Sequence, residues 1–189
     1  MKTLGFIFSF LLAASAQAAL TVDGNGILLG ATGVEVNGNS YTVEFVEDSC
    51  ANIWGSCDGN GSFTWTSLAE AEAAHNALLD QVLVGIYDES PDLTFGCAIV
   101  SVCVVFTPFS GSLGDPNMIG TVLTQNFDGA LADGFGLRDL LLPNTDSSTD
   151  AFVTFAEWTI ETTQVPLPGA LGLFSFALVG LGWRKRKAA

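Results

Sequence analysis

Basic residues are almost missing from this 189-residue chain. The six present are Lys2, Arg138, Arg184, Lys185, Arg186 and Lys187, so five of them sit at the ends. In the middle Arg138 alone faces all twenty acids, which leaves that part at a formal −19. Such a charge excludes nucleic acid and anionic lipid as partners, because both are held by clustered Lys and Arg. Histidine occurs once, at position 75, and the cysteines fall in C-x6-C and C-x5-C spacings, which do not make a zinc site. No apolar stretch reaches the roughly 20 residues that cross a bilayer comfortably. What is present is a supply of aromatic and β-branched residues throughout the middle, which argues against disorder. Residues 19–164 are long enough for one domain with its own core.

The chain divides into three parts. Residues 1–18 read as a signal peptide: Lys2 gives the positive start, Leu4 to Ala14 a short apolar core, and Ala16-Gln17-Ala18 a small-x-small site that places cleavage before Ala19. Signal peptidase is the implied processing enzyme. Residues 19–164 are the acidic extracytoplasmic domain. Residues 165–189 run Val165-Pro166-Leu167-Pro168, then an apolar stretch from Gly169 to Trp183, then Arg184-Lys185-Arg186-Lys187. As a helix the apolar stretch reaches about 22 Å against a hydrocarbon core of roughly 30 Å, a marginal span. The basic cluster keeps its C-terminal end in the cytoplasm and the acidic domain outside the inner membrane.

This ending resembles the PEP-CTERM sorting signal of Gram-negative bacteria, which has a V-P-x-P-like motif, a short apolar helix and a terminal basic cluster in that order. Leu167 stands where the commonest motif has Glu. The resemblance implies recognition by an exosortase, removal of the tail, transient anchoring by the C-terminal helix, and a final place at the envelope surface or in an exopolysaccharide matrix. A plain single-pass anchor is the alternative reading of the tail. The run Gly30-Ala31-Thr32-Gly33-Val34-x-Val36-x-Gly38, with Tyr41-x-Val43-x-Phe45, is similar to the opening of a group of small PEP-CTERM proteins of unknown function. That group supplies no catalytic residues.

The fold expected for the middle is α+β: a mainly antiparallel β-sheet with one principal amphipathic helix, between the N-terminal signal peptide and the C-terminal hydrophobic sorting helix. Val34-Glu35-Val36 and Tyr41 to Val46 alternate as a hairpin, with Val34, Val36, Tyr41, Val43 and Phe45 on one face. The turn is either Asn37-Gly38 or a longer loop to Ser40. Ser67 and Glu70 form a capping box for a helix from Leu68 to Val84. Its apolar stripe is Leu68, Ala71, Leu78, Leu79 and Val82, with Ala73, Ala77 and Asp80 facing away. Ala98 to Thr107, Met118 to Gln125 and Ala151 to Thr162 read as strands. Asp128 to Leu142 is ambiguous, its glycines opposing a full helix, with a helical turn or two open to Leu137 to Leu142.

Four cysteines in an exported chain imply two disulfides. Cys50–Cys57 is the favoured pair, since Gly55 permits a tight loop. Cys97 and Cys103 would stand about 20 Å apart on a straight strand, too far to bridge, so either the chain turns there or the pairing crosses. His75, on the helix stripe, is expected to be a partly buried histidine with one hydrogen bond. Ser110-Gly111-Ser112-Leu113-Gly114 lacks the first Gly of a nucleophile elbow, and Asp133-Gly134-Phe135-Gly136 lacks the third Gly of a dinucleotide loop. Asp88/Glu89 and Glu157/Glu161 are carboxylate pairs that chance alone produces among twenty acids. Arg138 is expected to pair with Asp133 or Asp139. Asp58, Asn60 and Ser62 place oxygens at alternate positions as calcium loops do, without the Gly and Glu of an EF-hand.

The expectation is therefore an exported acidic envelope or matrix protein with no catalytic residues and no resident cofactor, calcium at Asp58, Asn60 and Ser62 being the one candidate ligand. Exopolysaccharide is its expected partner. The competing classes are a secreted polysaccharide hydrolase working through a carboxylate pair and a calcium-dependent adhesion module.

Overall fold

The computed structural model describes residues 17–57, 62–110, 119–129, 131–141 and 146–162. They form a mixed, mostly antiparallel sheet of seven strands with α-helices on its faces. The strands are β1 (Ala19–Val22), β2 (Leu28–Val36), β3 (Asn39–Val46), β4 (Val102–Phe109), β5 (Ile119–Phe127), β6 (Gly134–Leu141) and β7 (Val153–Ile160). Their spatial order is β1-β2-β3-β7-β4-β5-β6. The helices are α1 (Cys50–Trp54), α2 (Leu68–Gln81) and α3 (Ile86–Glu89). β7 enters the middle of the sheet, antiparallel to β3 and parallel to β4.

The β2–β3 hairpin closes through the two residues Asn37 and Gly38, since Val36 pairs with Asn39 and Val34 with Tyr41. Both turn residues have positive φ, 51° and 81°, the type I′ geometry that suits the twist of a hairpin and the sequence Asn-Gly. Val34, Val36, Tyr41, Val43 and Phe45 are all buried on one face. The strand β2 starts six residues before the expected hairpin and carries an irregularity between Ala31 and Val34, where Gly33 adopts φ 70°. That extra residue keeps Ala31 and Val34 on the same buried face.

Helix α2 begins as its sequence requires, with the Ser67 hydroxyl accepting the N–H of Glu70. The Glu70 carboxylate reaches one residue further back than a capping box, to the N–H and hydroxyl of Thr66, both at 2.8 Å. The helix ends at Gln81 and not at Val84. Leu83 N–H bonds back to the Leu78 carbonyl at 2.7 Å, which loosens the last turn and drops Val82 and Leu83 into the core. Gly85, at φ 61°, then turns the chain into α3. Ala77, expected to face away, is buried with Ala71, Ala74, His75 and Leu78. The small alanines let the helix lie close on β5, its main neighbour, so the buried stripe is wider than leucines alone mark out.

Strands β7, β4 and β5 are covered on both faces, which explains their nearly unbroken apolar runs. On the helix α2 face lie Val43, Val105, Val122, Ala156 and Trp158. On the other face Phe106, Leu123, Val153 and Phe155 pack under α1, with Trp54 edge-on to Phe155 at 5.2 Å. Fully burying such side chains stabilises by about 1.5–3 kcal/mol each. The chain passes from one face to the other where β7 and β4 part. Trp65 bridges to Phe109 at the end of β4, and the Thr64 hydroxyl donates to the Trp158 carbonyl in β7. Trp65 then packs tilted against Tyr41 and edge-on against Trp158.

Both disulfides join local pairs, Cys50–Cys57 with Cα atoms 5.8 Å apart and Cys97–Cys103 at 5.5 Å. The second pair is possible because residues 98–101 turn and β4 starts at Val102, four residues after the expected start. The ambiguous stretch after Asp128 is a strand, β6, and not helical turns. Gly134 serves a side chain of β5, since a Cβ there would meet the Gln125 amide oxygen, whereas a Cβ at Gly136 would make ordinary contact with Leu123.

Candidate functional site

One half of the sheet is open on the face away from α2. There the outward residues of β3 are Thr42 and Glu44, alternating with buried Tyr41, Val43 and Phe45. Register places Thr21 beside Gly30, Gly30 beside Glu44, and Glu44 beside Glu157 across four adjacent strands. Gly30, at φ 150°, is required there because a Cβ would run into the Val43 carbonyl of β3. Over this stretch lies a cleft of about 320 Å³ whose walls include Thr21, Leu29, Thr32, Thr42, Glu44 and Phe95. Phe95 reaches it because β2 and β3 diverge past Gly30. Thr94 bridges to Leu28, and Phe95 N–H donates to the Leu28 carbonyl at 2.9 Å. Phe95 is 36% exposed and lines the cleft.

The carboxylates around this face play different parts. Glu157 and Glu161, paired by sequence spacing, lie four residues apart on an extended segment, about 13 Å. That is the spacing of their backbones; the Glu161 carboxylate itself folds back onto β2 and β3. Glu161 is also engaged: it accepts the Gly33 N–H at 2.8 Å, the Thr42 hydroxyl at 2.9 Å and the Ser40 hydroxyl at 3.0 Å. These bonds, the Gly33 N–H first, hold its carboxyl below the usual range. The pair that register brings together is Glu44 and Glu157. The spacing of 113 residues hides it from the sequence, and only strand pairing reveals it.

His75 is buried on α2, its Nδ1 2.9 Å from the Thr124 hydroxyl on β5 and its ring 5.2 Å from that of Phe135 on β6. Burial lowers its pKa, opposed by the charges of Asp133, Glu72 and Asp80. Asp133 is shifted the other way. Burial and the nearby Asp88 raise it, while the Phe127 N–H, donated at 3.0 Å, pulls it down. Two residues along β5 from Thr124, Asn126 is fully buried and donates to the Tyr87 carbonyl at 2.8 Å. This is a packed histidine with one hydrogen bond. The hydroxyl it bonds, that of Thr124, is fully buried and closed to any substrate.

Asp88 and Glu89 lie together on the one-turn helix α3. Among the described residues no three His, Cys, Asp or Glu side chains gather as metal ligands. Of the calcium loop, Ser62 is exposed, and Asp58 and Asn60 lie outside the described residues. Ser110 ends β4 and donates its N–H to the Trp65 carbonyl, and the remainder of that serine-glycine run lies outside them as well. Asp133-Gly134-Phe135-Gly136 leads into edge strand β6, a place with no strand-to-helix turn to hold a dinucleotide. Arg138 sits in β6 opposite Thr121. Ala18 packs on the core and Ala19 opens β1. Ala16, Val165, Pro166, Leu167, Pro168 and the cluster Arg184, Lys185, Arg186 and Lys187 lie outside the described residues. No helix among those described is long and apolar enough to cross a membrane.

Residues 164–187 match the PEP-CTERM protein-sorting motif. The chain carries this motif, which marks it as an exported exosortase substrate sorted to the cell envelope. No curated protein and no solved structure matches the chain.

Proposed function

We propose that the protein is a non-catalytic, acidic component of the envelope surface or extracellular matrix of a Gram-negative bacterium, associated with exopolysaccharide after its tail is removed. The sorting motif at residues 164–187 carries this reading. The acidic, disulfide-braced domain supports it: −19 over residues 19–164 keeps the domain soluble, and two short disulfide loops suit an oxidising compartment. In this reading the domain needs no resident cofactor. Calcium at Asp58, Asn60 and Ser62 belongs to the same proposal as an accessory ligand, and its signature is a higher melting temperature in calcium than in sodium chloride of equal ionic strength.

The test is fractionation of the native host with and without its exosortase. The reading expects the protein in the matrix fraction of the intact host, released by glycan-degrading treatment, and in the inner membrane when exosortase is missing. Protein that stays in the membrane of both hosts sinks it. The apposition of Glu44 and Glu157 favours a second reading, a polysaccharide hydrolase. Turnover of a polysaccharide by the purified protein, abolished by Glu157→Gln, would replace the non-catalytic reading.

A further inference from the structure

We infer that the cleft over Gly30 binds a neutral pyranose ring of a glycan chain, with Phe95 as the stacking surface and Glu44 as the hydroxyl acceptor. Four observations converge on that ligand class. The first is size: about 320 Å³ is at the small end of ligand pockets, room for one or two sugar rings. The second is the mixture of walls. Phe95 and Leu29 offer apolar surface, which matches the C–H face of a pyranose, while Thr21, Thr32, Thr42 and Glu44 offer polar atoms. The third is the hydrogen-bonding inventory. Thr42 already gives its proton to Glu161, so toward the cleft it is an acceptor, as the Glu44 carboxylate is. Thr21 and Thr32 can donate or accept. A site with more acceptors than donors suits a ligand rich in hydroxyl protons. The fourth is charge. Glu44 and Glu157 side by side, within a domain of −19, repel uronates and sulfated sugars.

The cleft is preformed. Gly30 lets the backbones of β2 and β3 approach closely beneath it, the β2 irregularity at Gly33 is tied by the Glu161 carboxylate, and that same carboxylate orients Thr42. Thr21, Thr32, Glu44 and Phe95 are exposed, so a ring inside a polymer can enter from the side without a free chain end. This inference rests on the matrix reading only for which glycan meets the site in the host.

The test is saturation-transfer NMR and calorimetry on the full chain, purified in a sugar-free detergent. The probes are neutral hexose oligosaccharides, uronate oligosaccharides and a lysine-rich peptide, each to about 10 mM. The neutral oligosaccharides are expected to bind, with contacts from their ring C–H protons. Phe95→Ala should weaken binding about tenfold, and Glu44→Gln severalfold. Thr32→Trp, made at an exposed position so that folding is kept, should fill the cleft and abolish binding. Melting curves establish that each variant folds. The inference is overturned if no neutral oligosaccharide binds, if the uronate or the peptide binds better, or if binding survives Thr32→Trp unchanged. None of these outcomes depends on where the cell sends the protein, so failure here leaves the sorting result standing.

Discussion

Glu44 on β3 and Glu157 on β7 stand directly opposite each other, with no described cation between them. Like charges in that position destabilise a sheet, and two strands in mid-sheet cannot slide apart to relieve it. Glu157→Gln should therefore raise the melting temperature by about 1–3 °C at low salt, and the gain should shrink as salt screens the pair. Melting curves of both proteins across a salt series check this. A gain that does not vary with salt would mean the two carboxylates do not repel.

The Glu161 carboxylate joins β2, β3 and the end of β7 through Gly33, Ser40 and Thr42. Its folded pKa is lowered, so its contribution is present above the ordinary carboxylate value of 4.5 and is lost as pH falls through the folded value. Glu161→Ala should lower the melting temperature at neutral pH by about 2–4 °C, a modest amount because the group stays near solvent. The difference from wild type should close in acid. Equal melting temperatures at neutral pH would show that the three bonds add nothing net.

His75 and Asp133 give pH effects of opposite sign. The His75 pKa is depressed by burial, so its contribution is present above about 6.5 and is lost as pH falls from there toward the folded value. The Asp133 pKa is raised, so its contribution is present below 3.8 and is lost as pH rises through the folded value. His75→Gln should flatten the fall in urea midpoint between about pH 6.5 and 5. Asp133→Asn should deepen that fall, because the carboxylate that favours protonated His75 is gone. An unchanged profile in both variants would place the pH dependence elsewhere.

Each disulfide closes a short loop, worth about 2–3 kcal/mol by restriction of the unfolded chain. Their structural roles differ. Cys50 and Cys57 belong to the core on the α1 face, while Cys97 and Cys103 are buried in the core on the α2 face and their bridge also fixes the turn before β4 that carries exposed Ile99 and Val100. Cys97→Ser with Cys103→Ser should speed amide exchange at residues 98–101 and leave the Trp54–Phe155 packing intact. Cys50→Ala with Cys57→Ala should disturb that packing, which tryptophan fluorescence reports. The same fluorescence change in both double variants would contradict this division.

The parts of the fold legible in the sequence are those with local causes. Asn37-Gly38 between alternating residues specifies its hairpin, and Ser67 with Glu70 specifies the start of α2. The parts that were not legible depend on distant partners. β6 reads as broken at its glycines, and the reason for Gly134, room for Gln125 on β5, lies on another strand. β4 begins late because Cys97 must turn back to Cys103. The parallel β4–β7 pair and the passage of Thr64 and Trp65 between those strands leave no periodic trace. The cleft shows the same limit: Thr42 and Glu44 alternate with the apolar residues of their strand, but nothing local says that Gly30 and Phe95 lie beside them. The sorting tail is the opposite case, since its motif, apolar stretch and basic cluster are contiguous and need no fold to be recognised.

The central claim is that the chain is exported and processed at both ends. Its most direct test is the intact mass of the protein recovered from the surface and matrix of its native host. The account predicts a species that begins at Ala19 and has lost the apolar stretch Gly169 to Trp183 together with Arg184, Lys185, Arg186 and Lys187. A surface species that still carries that stretch and the basic cluster would contradict it, and would make the tail a permanent anchor.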